Sequence, residues 1–201
     1  MRAQAAVVTL VMLTGAFAVT ALGAENPVSK RDAELLKQKV ATITTLGASP
    51  VIKARRTTVT ENELNAYLAY DAHQDLPPGV VEPSITILGT GRVSGRAVVD
   101  LDSVRRSRGP TGVLDPMNYL TGRLPITATG TLTTSNGVGQ FQLESAAVSG
   151  VPVPKMILQE IVTFYSRTAL NPAGIGLDDP FALPARIREI QVERGQAIIV
   201  Q

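Results

Sequence analysis

The chain between Leu124 and Ala147 alternates apolar and polar residues on both sides of an Asn-Gly pair, and this pattern constrains the fold most strongly. The apolar or small positions are Ile126, Ala128, Gly130 and Leu132 before the pair, and Phe141, Leu143, Ser145 and Ala147 after it. An Asn-Gly pair between two such runs favours a two-residue type I′ turn. The sequence therefore predicts two half-buried antiparallel strands joined at Asn136-Gly137.

A second alternating pair precedes this hairpin. Ser84 to Leu88 alternates, Gly89-Thr90-Gly91 is a turn, and Val93 to Leu101 again places apolar or small residues at every second position. The inner positions of these strands mix bulky side chains with unusually small ones, which allows a sheet to curl tightly. The sheet can curl around its own helix, around an apolar ligand or around both, and the alternation alone does not decide between them.

Capping motifs place helices beside these strands. Ser29 with Asp32 predicts a helix over about 30–46, which either packs on the domain or acts as a stalk. Thr60 with Glu63 predicts a helix over about 61–73 that covers a sheet. Pro154 opens a helix with apolar residues over more than half of its circumference, and so wide a face predicts a deep apolar environment. With a further strand before the second helix and a last hairpin, the fold class is α+β.

The N-terminal segment has the pattern of an export signal. Arg2 gives a positive start, residues 5–22 carry no charge, and the small residues Gly23 and Ala24 precede Glu25. We expect residues 1–24 to be a signal peptide, 25–56 an amphipathic helix with its linker, and 57–201 the main domain. The protein is then periplasmic or secreted. The alternative is an uncleaved membrane anchor, because the uncharged run is long enough to span.

Composition excludes several functions. The 201 residues include no cysteine and one histidine, which removes disulfides, thiolate metal sites and a cysteine nucleophile. The net charge of +2 is scattered and aromatic residues make up 4%, so nucleic acid is not an expected partner. The sequence contains no nucleophile motif for which His73 could act as a general base. The pairs Asp100/Asp102 and Asp178/Asp179 are interpreted as turn carboxylates and not as metal ligands. We predict no catalytic residue, no metal and no cofactor.

Four segments resemble a known family. They are Thr58-Val59-Thr60-Glu61-Asn62-Glu63-Leu64-Asn65, Leu76-Pro77-Pro78-Gly79-Val80, Gly150-Val151-Pro152-Val153-Pro154 and Leu183-Pro184-Ala185-Arg186-Ile187-Arg188-Glu189-Ile190. Over Thr57 to Gln201 the chain resembles the tubular lipid-binding (TULIP) superfamily, in the small bacterial form of the YceB-type and LmeA-type proteins. The resemblance implies a strongly curved antiparallel sheet wrapped around a long helix, an apolar groove for acyl chains and no catalysis. YceB-type proteins are lipid-anchored, whereas this chain has no cysteine to carry such an anchor.

Periodicity supplies candidate groove residues. We expect a lipid or another long apolar molecule to lie between helix and sheet. The sheet positions are Val93, Ala97, Val99, Ile126, Leu132, Phe141 and Leu143, and the helix positions are Met156, Ile157, Ile161 and Phe164. Between the two hairpins, residues 103–123 are expected to form a flap-like loop with a short helical piece. Its Arg105, Arg106 and Arg108 are candidate contacts for a phosphate headgroup, although a solubilising basic loop is the simpler interpretation.

Two other classes of function remain open at this point. The first is a structural or adaptor module of the cell envelope, with a fully packed core, no ligand and an N-terminal helix that docks on a partner through Leu36, Val40 and Ile43. The second is a hydrolase of unrecognised type, which the residue content disfavours. For a lipid carrier, transient contact with a membrane surface is expected, and the protein partner is unknown.

Overall fold

The computed structural model describes residues 28–50, 54–72, 76–108, 121–166 and 172–201. The helices of this part are α1 (Lys30–Ala48), α2 (Glu61–Tyr70), α3 (Leu101–Arg108) and α4 (Lys155–Ser166). The strands are β1 (Arg56–Thr60), β2 (Val80–Gly89), β3 (Arg92–Asp100), β4 (Arg123–Ser135), β5 (Val138–Val148), β6 (Val151–Pro152), β7 (Phe181–Ala182), β8 (Glu189–Glu193) and β9 (Gln196–Val200). The fold is α+β, as predicted.

Two antiparallel sheets form the framework. The larger has six strands in the order β2-β3-β4-β5-β6, with β7 paired to the free side of β5, and it is not closed. The smaller has the order β1-β9-β8. Asn136 and Gly137 have φ values of 50° and 81°, so the predicted turn between β4 and β5 is confirmed with both residues in the left-handed region that a type I′ turn requires.

A bulge in β5 changes which residues face the core. Leu143 pairs with Gly130, but the next paired residue is Ser145, opposite Thr129. Because one extra residue moves all later side chains to the other face, Ser145 and Ala147 share the face of the threonines of β4. The expectation that these two residues continue the inner face of Phe141 and Leu143 is therefore wrong.

Helix α2 protects the edge of β2 with its polar side chains. The Asn65 amide donates to the Ile85 carbonyl at 2.8 Å and accepts the Ile85 N–H at 2.7 Å. Glu61 accepts the Ile87 N–H at 2.6 Å. Pro83, earlier in the same strand, has no N–H to satisfy. The helix thus replaces a missing neighbour strand, which holds β2 in place and blocks pairing at this edge.

The main buried cluster lies between the half of the six-stranded sheet nearest the β2–β3 and β4–β5 turns and a cover formed by α2 and β8. Its members are Leu68, Ala72, Ile85, Ile87, Val93, Leu132, Phe141 and Val192. Leu68 is 1% exposed, and burial of such a side chain contributes about 1.5–3 kcal/mol. The prediction that the helix opened by Thr60 covers a sheet is confirmed.

Helix α1 packs on the domain and is not a stalk. Leu36 and Ile43 are buried, and Ile43 joins a second cluster with Leu183 and Ile187. Lys39 donates to the Glu63 carboxylate at 2.6 Å, which ties α1 to the capping box of α2. Both predicted capping boxes have the side chain of the N-cap residue accepting from the third helical N–H, at Ser29 and at Thr60.

Two predicted boundaries differ. Leu101, expected at the inward end of a strand, begins α3 and is buried there. The chain changes from strand to helix at this point because the Asp100 carboxylate accepts the Ser103 N–H at 2.9 Å and so caps the helix. Helix α2 ends at Tyr70, and His73 lies outside the described residues.

Candidate functional site

The structure divides the predicted groove residues of the sheet into two groups. Val93, Leu132 and Phe141 belong to the main buried cluster under α2, with Leu143 packed against it. Gly130 fits this packing, because a Cβ atom there would collide with the Phe141 ring. The small residue at this position therefore makes room for the protein's own core. This half of the inner face is covered by α2 next to β2 and by Val192 and Ile190 of β8 next to β4.

The other half of the inner face forms two apolar rows that run across the strands. We call them the end rows. They consist of Val80, Val99 and Leu124 in one row, and Ala97, Ile126, Val148 and Val151 in the other. Residues paired directly across strands point to the same side, and residues two apart in a strand share a face. The end rows therefore continue the face that Val93 begins.

Exposure increases along this face toward its end. Val93 is 7% exposed and lies in the core, whereas Ala97, Val99 and Ile126 are each partly exposed. Val151, at the margin of the second row, is 65% exposed. Between the two halves, Gly95 pairs with Ala128 in a row of small residues. The end rows are thus a surface on which apolar atoms remain accessible.

Helix α4 presents its first turn to the surface. Met156 is 78% exposed and Ile157 is 51% exposed, so the expectation of a deep apolar environment is wrong for this turn. The physical reason is local. Lys155 pairs with Asp178 at 2.7 Å, and Gln159 accepts the Leu177 N–H at 2.8 Å. These bonds hold the polar side of the helix against the loop 172–180.

Further along α4, Val162 is buried. The side chains of Ile161 and Phe164, two of the predicted groove residues, lie outside what the structure describes. The structure therefore does not bring the predicted helix positions Met156 and Ile157 together with Val93, Leu132 and Phe141. It places the first two residues at the surface and the other three in the core.

The arginine candidates have partners within their own helix. Arg105 pairs with Asp102 at 2.7 Å, and Arg106 donates to the Ser103 hydroxyl at 2.7 Å. The Arg108 side chain lies outside the described part. Arg105 and Arg106 are thus engaged in bonds that shape α3, which favours the simpler interpretation of this basic segment.

Asp100 and Asp102 have structural roles at the base of the segment between the hairpins. The hydrogen bond from the Ser103 N–H lowers the pKa of Asp100, and the charges of Arg106 and Arg123 act in the same direction. Asp102 accepts the Gly122 N–H at 3.2 Å and so joins the two ends of the segment. Asp100 therefore caps α3 and Asp102 lies in its first turn, so the two carboxylates are at a helix N-terminus and not in a turn as interpreted from the sequence.

The carboxylates of the second acidic pair, Asp178 and Asp179, also have bonding partners. Asp178 pairs with Lys155, and Asp179 accepts the Gly176 N–H at 2.6 Å within its own turn. Within the described ranges, no group of three or more His, Cys, Asp or Glu residues could hold a metal ion. None of the helices in these ranges is long and apolar enough to cross a membrane.

Comparison with known proteins adds no assignment. No protein-family model, curated protein or solved structure matches this chain. The resemblance to the TULIP superfamily therefore stays a prediction.

Sequence reasoning missed four members of the end rows, namely Val80, Leu124, Val148 and Val151. The signal for the last two was present, because Ser149-Gly150 is a two-residue turn signal between them. Both turn residues have positive φ, 51° and 80°, and Val148 pairs with Val151 across the turn. A hairpin assigned at Ser149-Gly150 would have extended the inner face by one strand.

Proposed function

We propose that this protein is an exported, non-catalytic carrier that binds a lipid or another long apolar molecule on the end rows of the six-stranded sheet. The observation that carries the proposal is the rise in exposure along one continuous apolar face. Val93 lies in the core, Ala97 and Ile126 are partly exposed, and Val151 is largely exposed. Apolar area of this kind, left open beside a packed core, is typical of a ligand-binding surface.

The size of the surface suits an extended apolar chain. The second end row crosses three strand spacings, from Ala97 on β3 to Val151 on β6, which is ~14 Å at about 4.8 Å per spacing. Each methylene group that leaves water contributes about 0.8 kcal/mol. A chain with roughly ten buried methylenes gains ~8 kcal/mol before the cost of immobilisation, which is enough for useful affinity.

We also propose that the six-stranded sheet curves around helix α4. Val162, which is buried, supports a contribution from the middle of that helix. The exposed Met156 and Ile157 do not belong to the proposed ligand surface. Of the groove residues expected from the sequence, we propose Ala97, Val99 and Ile126 of the end rows as ligand contacts. Val93, Leu132 and Phe141 instead belong to the core.

The direct test is native mass spectrometry of the protein purified from the cell envelope without detergent, with organic extraction of the same sample. A stoichiometric lipid supports the carrier and identifies its cargo. The mass of the polypeptide reports in the same experiment whether residues 1–24 have been removed, as export with cleavage requires. An empty protein that also rejects fluorescent fatty-acid analogues would contradict the proposal.

A substitution locates the ligand on the end rows. Ala97→Trp places a large side chain among them and is expected to abolish analogue binding, while circular dichroism and the unfolding transition remain close to wild type. Ala69→Trp is the matched control, because Ala69 is exposed on α2 away from the sheet face. Equal analogue binding by both folded variants would show that the ligand does not bind on the end rows.

The second candidate is a structural or adaptor module without a ligand. It is favoured by the presence of Val93, Leu132 and Phe141 in the packed core. Since Leu36 and Ile43 are buried in the protein's own core, a partner of α1 would contact its exposed residues instead. Leu35→Asp with Val40→Asp, at positions 38% and 39% exposed, should then abolish partner capture from envelope extracts without loss of folding.

A further inference from the structure

Three arginines lie around Gln201, at one end of the smaller sheet. Arg55 exchanges two main-chain hydrogen bonds with Gln201, at 3.3 and 3.0 Å. The Arg188 guanidinium donates to the Gln201 carbonyl at 3.4 Å. Arg186 directly follows Ala185, whose carbonyl accepts from the Gln201 side-chain amide at 2.7 Å. We call Arg55, Arg186 and Arg188 the arginine cluster.

The arginine cluster has no acidic side chain beside it. Its three members are exposed, and within the described ranges none of them forms an ion pair with an Asp or Glu side chain. Arg186 donates instead to the carbonyl of Ser49, the C-cap of α1, at 2.8 Å. The planar donors of a guanidinium group match the geometry of an oxyanion. The cluster is therefore a positively charged surface suited to such a ligand.

The Gln201 side chain is a second and independent observation. Gln201 is 9% exposed, and its amide nitrogen donates to the Ile43 and Ala185 carbonyls at 2.8 and 2.7 Å. These two acceptors fix the orientation of the amide, because the opposite orientation would place its oxygen against both carbonyls. Oε1 accepts no hydrogen bond from any described residue. A buried acceptor without a donor is unfavourable, so this atom indicates a donating group that binds there.

The two observations together specify the chemistry of the ligand. The arginine cluster attracts an oxyanion, whereas Gln201 Oε1 requires a hydrogen-bond donor. A phosphate monoester has a second pKa of about 6, so near that pH about half of the molecules carry both negative charge and a hydroxyl. Sulfate is an oxyanion of similar shape, but it carries no proton at this pH. A protonated phosphate group therefore matches both requirements, and sulfate matches only the first.

We infer that the arginine cluster and Gln201 form a binding site for a protonated phosphate group. Arg55 and Arg188 bind the phosphate oxygens, and the phosphate hydroxyl donates to Gln201 Oε1. Because Oε1 is buried, the ligand reaches it only when these exposed arginine side chains move. Gly137 donates to the Arg188 carbonyl at 2.9 Å, so the site lies beside the β4–β5 turn, at the other end of these strands from the end rows. The inference does not rest on the proposed function.

Isothermal titration calorimetry at about pH 6, in a buffer without phosphate, tests the inference on the purified protein. We expect saturable binding of inorganic phosphate and at least about tenfold weaker binding of sulfate, since one hydrogen bond involving a charged group corresponds to roughly that factor. The double variant Arg55→Gln with Arg188→Gln should bind phosphate at least about tenfold more weakly than wild type. Arg96→Gln, at an exposed position of β3 outside the cluster, is the matched control and should bind like wild type.

Two further probes distinguish the sources of the phosphate group. Binding of glycerol 3-phosphate in solution assigns the site to a soluble phosphate compound, whereas flotation only with vesicles that contain phosphatidic acid assigns it to a lipid head group. No binding of any of these probes, sulfate binding as tight as phosphate binding, or equal phosphate binding by the double variant and wild type would overturn the inference. The double variant should bind the fatty-acid analogue like wild type, so a failure of the carrier proposal is detected separately.

Discussion

The edge of β2 offers a quantitative test of how the sheet is held in place. Asn65→Ala removes the donor to the Ile85 carbonyl and the acceptor of the Ile85 N–H, whose bonds are 2.8 and 2.7 Å long. Each buried backbone group left without a partner costs about 1–3 kcal/mol. Because these bonds are only partly buried, the lower part of that range applies. We expect a loss of about 2–3 kcal/mol in the free energy of unfolding.

Helix propensity acts in the opposite direction. Alanine is a better helix former than asparagine by roughly 0.5 kcal/mol in a helix interior. Asn62→Ala, at an exposed position of the same helix, measures the change of residue type without loss of the bonds to β2. The difference between the two variants therefore isolates the contribution of the Asn65 side chain.

Urea unfolding followed by circular dichroism is the assay. With a slope of about 2 kcal/mol per molar, the Asn65→Ala midpoint should fall by roughly 1 M relative to Asn62→Ala, with the slope unchanged. Asn65→Asp keeps the acceptor and loses the donor, so its midpoint should lie between the two. If Asn65→Ala and Asn62→Ala agree within about 0.5 kcal/mol, the side chain does not hold this edge and the reasoning is wrong.

Two further predictions concern ionised side chains. Lys39→Met should destabilise the protein by about 2 kcal/mol in urea unfolding, because the Glu63 carboxylate, 9% exposed, loses its cation; a change under about 0.5 kcal/mol would count against this. The hydrogen bond from the Thr131 hydroxyl lowers the pKa of Glu144 below its ordinary 4.5, so ionised Glu144 favours the folded state above that pH and the benefit disappears as the pH falls below it. The stability difference between wild type and Glu144→Gln should therefore shrink from about pH 6 to about pH 3, and a constant difference would refute the assignment.

Local patterns predicted much of the fold because they report local energetics. The Asn136-Gly137 turn requires positive φ at both residues, and few other pairs adopt it easily. The capping box of Thr60 with Glu63 satisfies helix donors within four residues, so its signal is independent of the rest of the protein. These features were predicted correctly.

The remaining features depend on contacts between distant parts of the chain. The pairing of β1 with β9 joins Arg56 to Val200, and nothing near either residue specifies the other. The bulge at Glu144 adds one residue that leaves the alternation of apolar positions apparently intact. For α4, apolar periodicity indicates which residues avoid water on average, but not that Asp178 and Leu177 would hold its polar side and leave Met156 outside.

The division of the inner face into a packed half and an open half follows from element lengths. Helix α2 has 10 residues and is ~15 Å long at about 1.5 Å per residue. Strand β3 has 9 residues and is ~30 Å long at about 3.4 Å per residue. The helix is bonded to β2 at Ile85 and Ile87, and β8 packs beside it through Val192, so the cover on the inner face ends about halfway along the sheet. The apolar side chains beyond it, Ala97 and Val99 among them, stay partly exposed, and the apolar chain that we propose as ligand would cover them without any charged contact.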